Sequence, residues 1–553
     1  MNKLKKGFLL MAAFVYGSAL FAQSIDDGKK LFFYEKYQSA KTLFSQLVSA
    51  NANNIDAVYW LGQAEIALDD TASAKTLYQN ALMANSGSPL LLVGMGHIAL
   101  LENQAQDARQ RFETAISLSN NKSIPVLNAI GFANVDAKAG DANYAIDKLK
   151  QATTLKGFKD PDVYINLGDA YRKIMDGGSA QTAYESALQL NSNYARASFK
   201  IGRIYESQGS MQEDVFMKYY NDAITEDPTF GPVYYALYSY YYKRDVNKSK
   251  DYLDKYIANS DPSPKDCYYV ASILYASSLF QQSIDKSNEC IAAGGDNPYP
   301  NLFGLKAYAY DKLGDSVNAK SFFEQYFAKQ KPENIEHGDY TTYAKNLLKF
   351  PGSDSVAGVY VDKAIALDTV EPDKIADARV MVDYYAKTKD SLHPGAQYVN
   401  EANWYNKIIG LKQQPLLSDY QTTGFNYYRG GNFAAAAGVF DSATDKFPTD
   451  IYSYYMKGRS LYGIDTAMAQ GLANPAFQKV IDLASSDSIK YKAQLIGSYK
   501  YFIGYYVNIK RDKETALAYC DKVLALDPND ADVISSKEQI NKINFGKKAA
   551  SNK

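Results

Sequence analysis

Gly28, Gly62 and Gly96 stand 34 residues apart. So do Ala40, Ala74 and Ala108, then Phe44, Tyr78 and Phe112, then Leu47, Ala81 and Ala115. Four columns recurring together across three units define a repeat, and a repeat restricts the fold more tightly than any local pattern. Counted from the first residue of each unit, a small residue falls at position 8, another at 20, an aromatic at 24 and a small or apolar residue at 27. Positions 4, 7, 8 and 11 share one helix face, and 20, 24 and 27 share a face of a second helix. Each unit is thus a helical hairpin that buries little alone; stacking makes the core continuous. Glycine at 8 and alanine at 20 let the two helices approach closely. The aromatic at 24 is expected to fill the gap between neighbouring hairpins.

Length supports an array. One core stops growing near roughly 250–300 residues, whereas this chain has 553. Its 46% hydrophobic and 22% charged content belongs to a folded chain. The net charge is −1, and loss of Lys3, Lys5 and Lys6 with a cleaved leader would take it to −4. That balance lacks the basic footprint of a nucleic-acid binder. Tyrosine is abundant, 48 against 2 tryptophans, and suits both helix packing and binding surfaces.

The first residues, Met1 to Lys6, are basic, and an uncharged run follows from Gly7 to Ala22. This order predicts a secretory leader over residues 1–22, cleaved after Ala22, although Leu20 departs from the usual small residue there. No cysteine lies near that site for lipidation, and no other apolar stretch is long enough to span a membrane. The expected location is therefore the periplasm or the outer-membrane surface.

The repeat resembles the tetratricopeptide repeat (TPR) family. Residues 161–192 carry its pattern at Leu167, Gly168, Tyr171, Ala180, Tyr184 and Ala187, and residues 195–228 at Ile201, Gly202, Tyr205, Ala223 and Pro228. Residues 300–332 keep Tyr310, Ala319, Phe323 and Pro332; residues 417–448 keep Gly424, Tyr427, Ala436, Phe440, Ala443 and Pro448. Residues 497–528 keep Gly504, Ala516 and Pro528. Weaker units start near 124, 230, 264, 337, 373 and 451. The resemblance implies an all-α, right-handed superhelical solenoid of about 14 hairpins with a capping helix near Asp530–Asn544. The expected organisation is a leader at 1–22, an N-terminal array at 23–330 and an irregular, hinge-like segment at 331–414. A C-terminal array and cap at 415–545 and a disordered basic tail at 546–553 complete it. The leader's end and the Tyr-, Asn- and Lys-rich helices look like those of exported Bacteroidetes proteins.

Catalytic signatures are missing from the sequence. His97, His337 and His393 are far apart, and no metal-ligand spacing, nucleophile elbow or Walker loop occurs. Gly94-Met-Gly96-His-Ile-Ala99 mimics a dinucleotide fingerprint, but it follows no strand and Gly96 is already repeat position 8. No catalytic residue, cofactor or metal is expected. What remains is shape. In the TPR family the first helix of each hairpin lines a concave surface that grips peptides or partner domains. The face opposite the packed one falls at positions 2, 5, 9, 12 and 13. It supplies the candidates Phe425, Tyr428 and Arg429 in one unit, Tyr452, Tyr455, Arg459 and Tyr462 in the next, and Phe199 and Arg203 nearer the N-terminus. Tyr and Arg are enriched at binding hot spots. The expected function is a protein-binding scaffold with a protein or peptide partner; glycan binding is the alternative, weakened by the missing lipidation cysteine and the scarcity of tryptophan. Finally, Cys267 and Cys290 fall at positions 4 and 27 of one unit, which antiparallel helices bring together, so they are a candidate disulfide; the other reading is two free buried thiols, as Cys520, with no partner in its unit, must be.

Overall fold

A computed structural model describes residues 24–388 and 395–544. The expected leader, the basic tail and His393 lie outside the described residues. Among those described, every regular element is helical. Contacts divide the chain into two compact units, Met1–Tyr299 and Pro300–Lys553.

The N-terminal unit holds eight hairpins. The first four pair α1 (Ile25–Phe33) with α2 (Tyr37–Ala50), α3 (Ile55–Ala67) with α4 (Thr71–Ala84), α5 (Pro89–Leu101) with α6 (Ala105–Leu118), and α7 (Ile124–Asp136) with α8 (Ala142–Thr153). The next four pair α9 (Pro161–Lys173) with α10 (Gly177–Leu190), α11 (Ala195–Ser207) with α12 (Glu213–Glu226), α13 (Gly231–Tyr241) with α14 (Val246–Ala258), and α15 (Pro264–Ala276) with α16 (Phe280–Ala293).

The C-terminal unit holds six. They pair α17 (Asn301–Lys312) with α18 (Ser316–Lys329), α19 (His337–Leu347) with α20 (Asp354–Leu367), and α21 (Glu371–Lys387) with α22 (Ala396–Leu411). Then come α23 (Leu417–Arg429) with α24 (Phe433–Lys446), α25 (Ile451–Ile464) with α26 (Asn474–Ala484), and α27 (Lys492–Tyr505) with α28 (Lys513–Leu526). A lone helix, α29 (Ala531–Lys542), ends the unit. Fourteen hairpins and a last unpaired helix are the architecture expected from the repeat. Residues 331–414, expected to be irregular, contain the α19–α20 and α21–α22 hairpins, with a single 3-10 turn at Pro332–Asn334 ahead of them.

Local chemistry sets the helix ends. Asp70, Asp176, Asp315 and Asn432 cap α4, α10, α18 and α24, each side chain accepting a backbone N–H three residues on. The reversal inside a hairpin rests on one left-handed residue: Glu35, Asp69, Asn103, Met175 and Ser278 have φ between 60° and 64°. Asp and Asn tolerate that conformation well; Glu35 and Met175 adopt it too.

The repeat columns become one contact made many times. A Cβ placed on Gly28, Gly62, Gly96, Gly168, Gly202, Gly424 or Gly458 would fall less than 3 Å from the ring of Phe44, Tyr78, Phe112, Tyr184, Tyr220, Phe440 or Phe477. The aromatic at position 24 therefore lies against the glycine of its own hairpin. It also reaches the next hairpin, as expected: Tyr78 is pressed against Gly94, and the rings of Phe44, Phe112 and Phe477 lie 6.3, 6.4 and 4.7 Å from those of Trp60, Tyr144 and Tyr501. The alanine column needs the same closeness: Ala40, Ala74, Ala108, Ala180, Ala319, Ala436 and Ala516 are all 0% exposed.

Candidate functional site

The first hairpin folds across its own unit. Lys30 Nζ lies 2.8 Å from Asp227, and the Tyr34 hydroxyl donates to the same carboxylate at 2.7 Å. The Tyr34 ring packs edge-on against Phe230 with centroids 4.9 Å apart. The backbone amides of Gln38 and Ser39 donate to Asp261 at 2.8 and 3.0 Å. The Arg196 guanidinium sits 3.7 Å over the Phe33 ring and pairs with Asp162, which Lys29 approaches to 3.6 Å. Arg196 and Asp162 are buried. Burial alone would raise the Asp227 carboxyl, but hydrogen bonds from Lys30, Thr229 and Tyr34 outweigh it and hold the group far below the usual carboxylate range. Hairpin 1 is thus clasped to α9, α11, α13 and the turn before α15.

Inside this closure lies a cavity of about 950 Å³. Its walls come from α1, α3, α5, α7, α9 and α11, with Phe230 and Pro232 at the start of α13. Those helices are all first helices of their hairpins. The register is regular: position 9 supplies Gln63, His97, Phe132 and Asp169, and positions 12 and 13 supply Ile66, Ala67, Leu101, Val135, Asp136, Arg172 and Lys173. These are the faces left free once positions 4, 7, 8 and 11 are packed. Phe32, Phe33, Phe132, Phe199 and Phe230 make part of the wall aromatic.

Its polar groups are mostly tied down. The buried His97 places Nδ1 2.9 Å from Gln63 Oε1 and Nε2 3.0 Å from Asp136. Gln63 donates onward to the Tyr78 hydroxyl at 3.0 Å, which donates to the Tyr59 carbonyl at 2.7 Å. The repeat glycine's ring partner is thereby linked to the cavity wall. The Lys173 amine donates to the carbonyls of Asn134, Val135 and Ala137 at 2.8, 3.2 and 2.5 Å, where the C-terminal end of α7 favours a cation. Burial pushes this amine below its ordinary value. Lys200 and the Tyr184 hydroxyl hold Asp169 at 2.8 and 2.6 Å. Glu35 is reached by solvent yet surrounded by protein, and that burial raises its carboxyl against the pull of Lys200 and Arg196.

Phe199 lines this cavity, its ring 5.6 Å from Tyr220 and 5.4 Å from Phe230. Arg203 does not; it pairs with Glu206 one turn along its own helix. In the C-terminal unit the structure divides the remaining candidates. Phe425, Arg429, Arg459 and Tyr462 are exposed, while Tyr428, Tyr452 and Tyr455 are half-buried. The Arg429 guanidinium lies 4.0 Å over Tyr398 and 5.7 Å from Phe425; that of Arg459 lies 4.8 Å over Tyr428. Tyr462 meets Tyr501 with centroids 5.6 Å apart. Tyr455 occupies the space a Cβ on Gly497 would need, so it serves packing between successive hairpins. Tyr398, on a second helix, was not singled out from the sequence. Cys267 and Cys290 are joined as a disulfide with Cα atoms 5.8 Å apart, and Cys520 is free and buried. A separate group, His337, Asp368 and Asp377, draws its ligand atoms within 4.8 Å of one another. Among the described residues, no helix is long and apolar enough to cross a membrane.

A family model for the tetratricopeptide repeat matches residues 165–229, from within α9 to just past α12. Residues 165–229 thus carry the tetratricopeptide repeat signature, and the other hairpins repeat its pairing of helices. The chain is similar to the C-terminal part of a TPR repeat-containing protein from Cytophaga hutchinsonii, at 24% identity over 48% of this chain and 98% of that one, with a TM-score of 0.27. It is similar to a tetratricopeptide repeat protein from Parabacteroides merdae at 18% identity, covering 46% and 98% of the two chains, with a TM-score of 0.38. It is also similar to yeast Tom70 at 12% identity over 73% and 94%, with a TM-score of 0.35. No curated protein matches the chain.

Proposed function

We propose that this protein is an exported, non-catalytic scaffold of the cell envelope that captures a peptide segment of a partner protein. The carrying observation is the convergence of positions 9, 12 and 13 from successive first helices on one cavity of about 950 Å³. That volume lies within the roughly 300–1,000 Å³ of ordinary ligand sites. Aromatic wall and fixed charges together offer an apolar anchor with polar orientation. The Arg–aromatic stripe of Phe425, Tyr428, Arg429, Arg459 and Tyr462 occupies the same register and serves as a second contact surface. Tyr452 and Tyr455 support it by packing. Export is supported by the charge and apolar order of residues 1–22 and by the Cys267–Cys290 pair, a bond that persists in oxidising compartments.

Site-specific photo-crosslinking tests the reading. A photoreactive amino acid replaces Arg172 at the cavity, Arg459 on the stripe or Lys218 on the exposed face of α12. One defined polypeptide should be captured from Arg172 and Arg459 and none from Lys218. Equal labelling at all three positions, or none at any, would sink the proposal.

A further inference from the structure

Three side chains far from the cavity meet in the C-terminal unit. His337 is the first residue of α19, Asp368 follows the last residue of α20, and Asp377 lies in α21. Each carboxylate has one oxygen fixed. Asp368 Oδ1 accepts the Val370 amide at 2.9 Å, and Asp377 Oδ1 accepts the Thr341 hydroxyl at 2.6 Å. Those bonds leave the two Oδ2 atoms pointing at one spot. Both are buried without a hydrogen bond, in side chains only 6% and 8% exposed. His337 Nδ1 faces them at 3.6 and 3.7 Å. These separations exceed hydrogen-bond range.

Two buried carboxylate oxygens that face one imidazole within a 4.8 Å group, neither of them hydrogen-bonded, oppose folding twice, through desolvation and through mutual repulsion. Among the described residues, His337 is the one basic side chain within 4 Å of either carboxylate. A divalent ion removes both costs. Ligand atoms bound at about 2.0–2.2 Å around a tetrahedral ion stand roughly 3.3–3.6 Å apart. The observed histidine-to-aspartate spacings come within a few tenths of that, and His337, half exposed, is free to close the difference. One imidazole nitrogen with two carboxylate oxygens suits zinc and its first-row neighbours, whereas calcium and magnesium favour all-oxygen sets. We propose that His337, Asp368 and Asp377 form a binding site for a divalent first-row transition metal ion. Solvent completes its coordination on the His337 side. The ion ties the α19–α20 hairpin to α21, so its affinity becomes stability of this part of the array.

The test uses the full chain, stripped with chelator and titrated calorimetrically with zinc, then with cobalt while visible absorption is followed. One equivalent of zinc should bind, and cobalt should give ligand-field bands. Thermal unfolding should shift upward with zinc. His337→Ala, at an exposed position that leaves packing intact, should weaken zinc at least roughly tenfold, and Asp377→Asn at least roughly 100-fold, since losing a direct ligand should cost no less than losing a residue that only orients one. His337→Cys should restore binding. The site is overturned if no saturable zinc binding occurs, or if both variants, folded by circular dichroism, bind as the parent does. Equal binding of magnesium or calcium would overturn the transition-metal assignment.

Discussion

In the N-terminal unit, positions 9, 12 and 13 of the first helices face a cavity that the first hairpin closes. In the C-terminal unit the same positions in α23 and α25 carry Phe425, Tyr428, Arg429, Arg459 and Tyr462 and stand largely in solvent. The repeat is the same and the hairpin contact is the same, Gly168 against Tyr184 in one and Gly424 against Phe440 in the other. What differs is long-range closure. Asp227, Asp261, Asp162 and Arg196 hold hairpin 1 in one unit. The lesson is that identical local packing leaves the free face of the first helices open or enclosed according to a few long-range side-chain contacts.

The sharpest way to break this contrast is Arg196→Ala. It leaves Asp162 buried without its main partner and Phe33 without its cation. Removing one member of a buried pair costs about 3–5 kcal/mol. Amide hydrogen exchange should accelerate in α1, α9 and α11 and stay unchanged in α17–α29; equal acceleration in both units would contradict a closure confined to the first.

Next comes the disulfide. The bond spans 23 residues of sequence separation, and the chain-entropy relation gives about 3 kcal/mol for a loop of that size. Cys267→Ser should lower N-terminal stability by that order. Thiol counting on unfolded, unreduced protein should find one reactive group, Cys520; three in protein isolated without reductant would rule the bond out.

A smaller effect tests what the units share. Gly168→Ala and Gly424→Ala should each destabilise by about 1–2 kcal/mol, because overpacking at about 1–3 kcal/mol outweighs a helix-propensity gain of up to about 1. Similar losses confirm one common contact, while a gain at either position would show that the ring can move aside.

The smallest expected change belongs to the C-terminal unit. Lys306 is 6% exposed with its amine 3.6 Å over the Phe322 ring. Burial pushes this amine down to about 8. The unfolded chain therefore binds more protons between pH 8 and the ordinary lysine value of about 10.4, and stability rises with pH across that window. Lys306→Met should flatten the rise and stabilise by about 1 kcal/mol at neutral pH, well under the full shift because the cation–π contact is lost too. An unchanged pH profile in denaturant melts would refute this.

The hairpins were legible because their determinants recur: the 34-residue spacing of Gly28, Gly62 and Gly96 alone points to the close contact. The free face was legible for the same reason, which is how Phe199 and the α23 and α25 residues could be named. Arg203 shares that face but pairs within its own helix. The clasp was not legible. Tyr34 and Asp227 are 193 residues apart and Gln38 and Asp261 are 223 apart, with no spacing to link them. Tyr398 was missed because it lies on a second helix and meets Arg429 only where α22 and α23 run back to back. His337, Asp368 and Asp377 follow no metal motif, since each comes from a different helix or its end.

The clasp has a consequence for biogenesis. A chain made from its N-terminus produces hairpin 1 first and Asp227 and Asp261 roughly two hundred residues later. At about 5–20 residues per second, that interval lasts on the order of 10–40 s. During it Tyr34 and Lys30 lack their shared partner Asp227, and the backbone amides of Gln38 and Ser39 lack Asp261. Closure is therefore the final event in maturation of this unit. It is paced by chain delivery and by the long loop it must close, so the newly made array passes through an open-ended stage whose inner aromatic wall faces the surroundings before the ring is sealed.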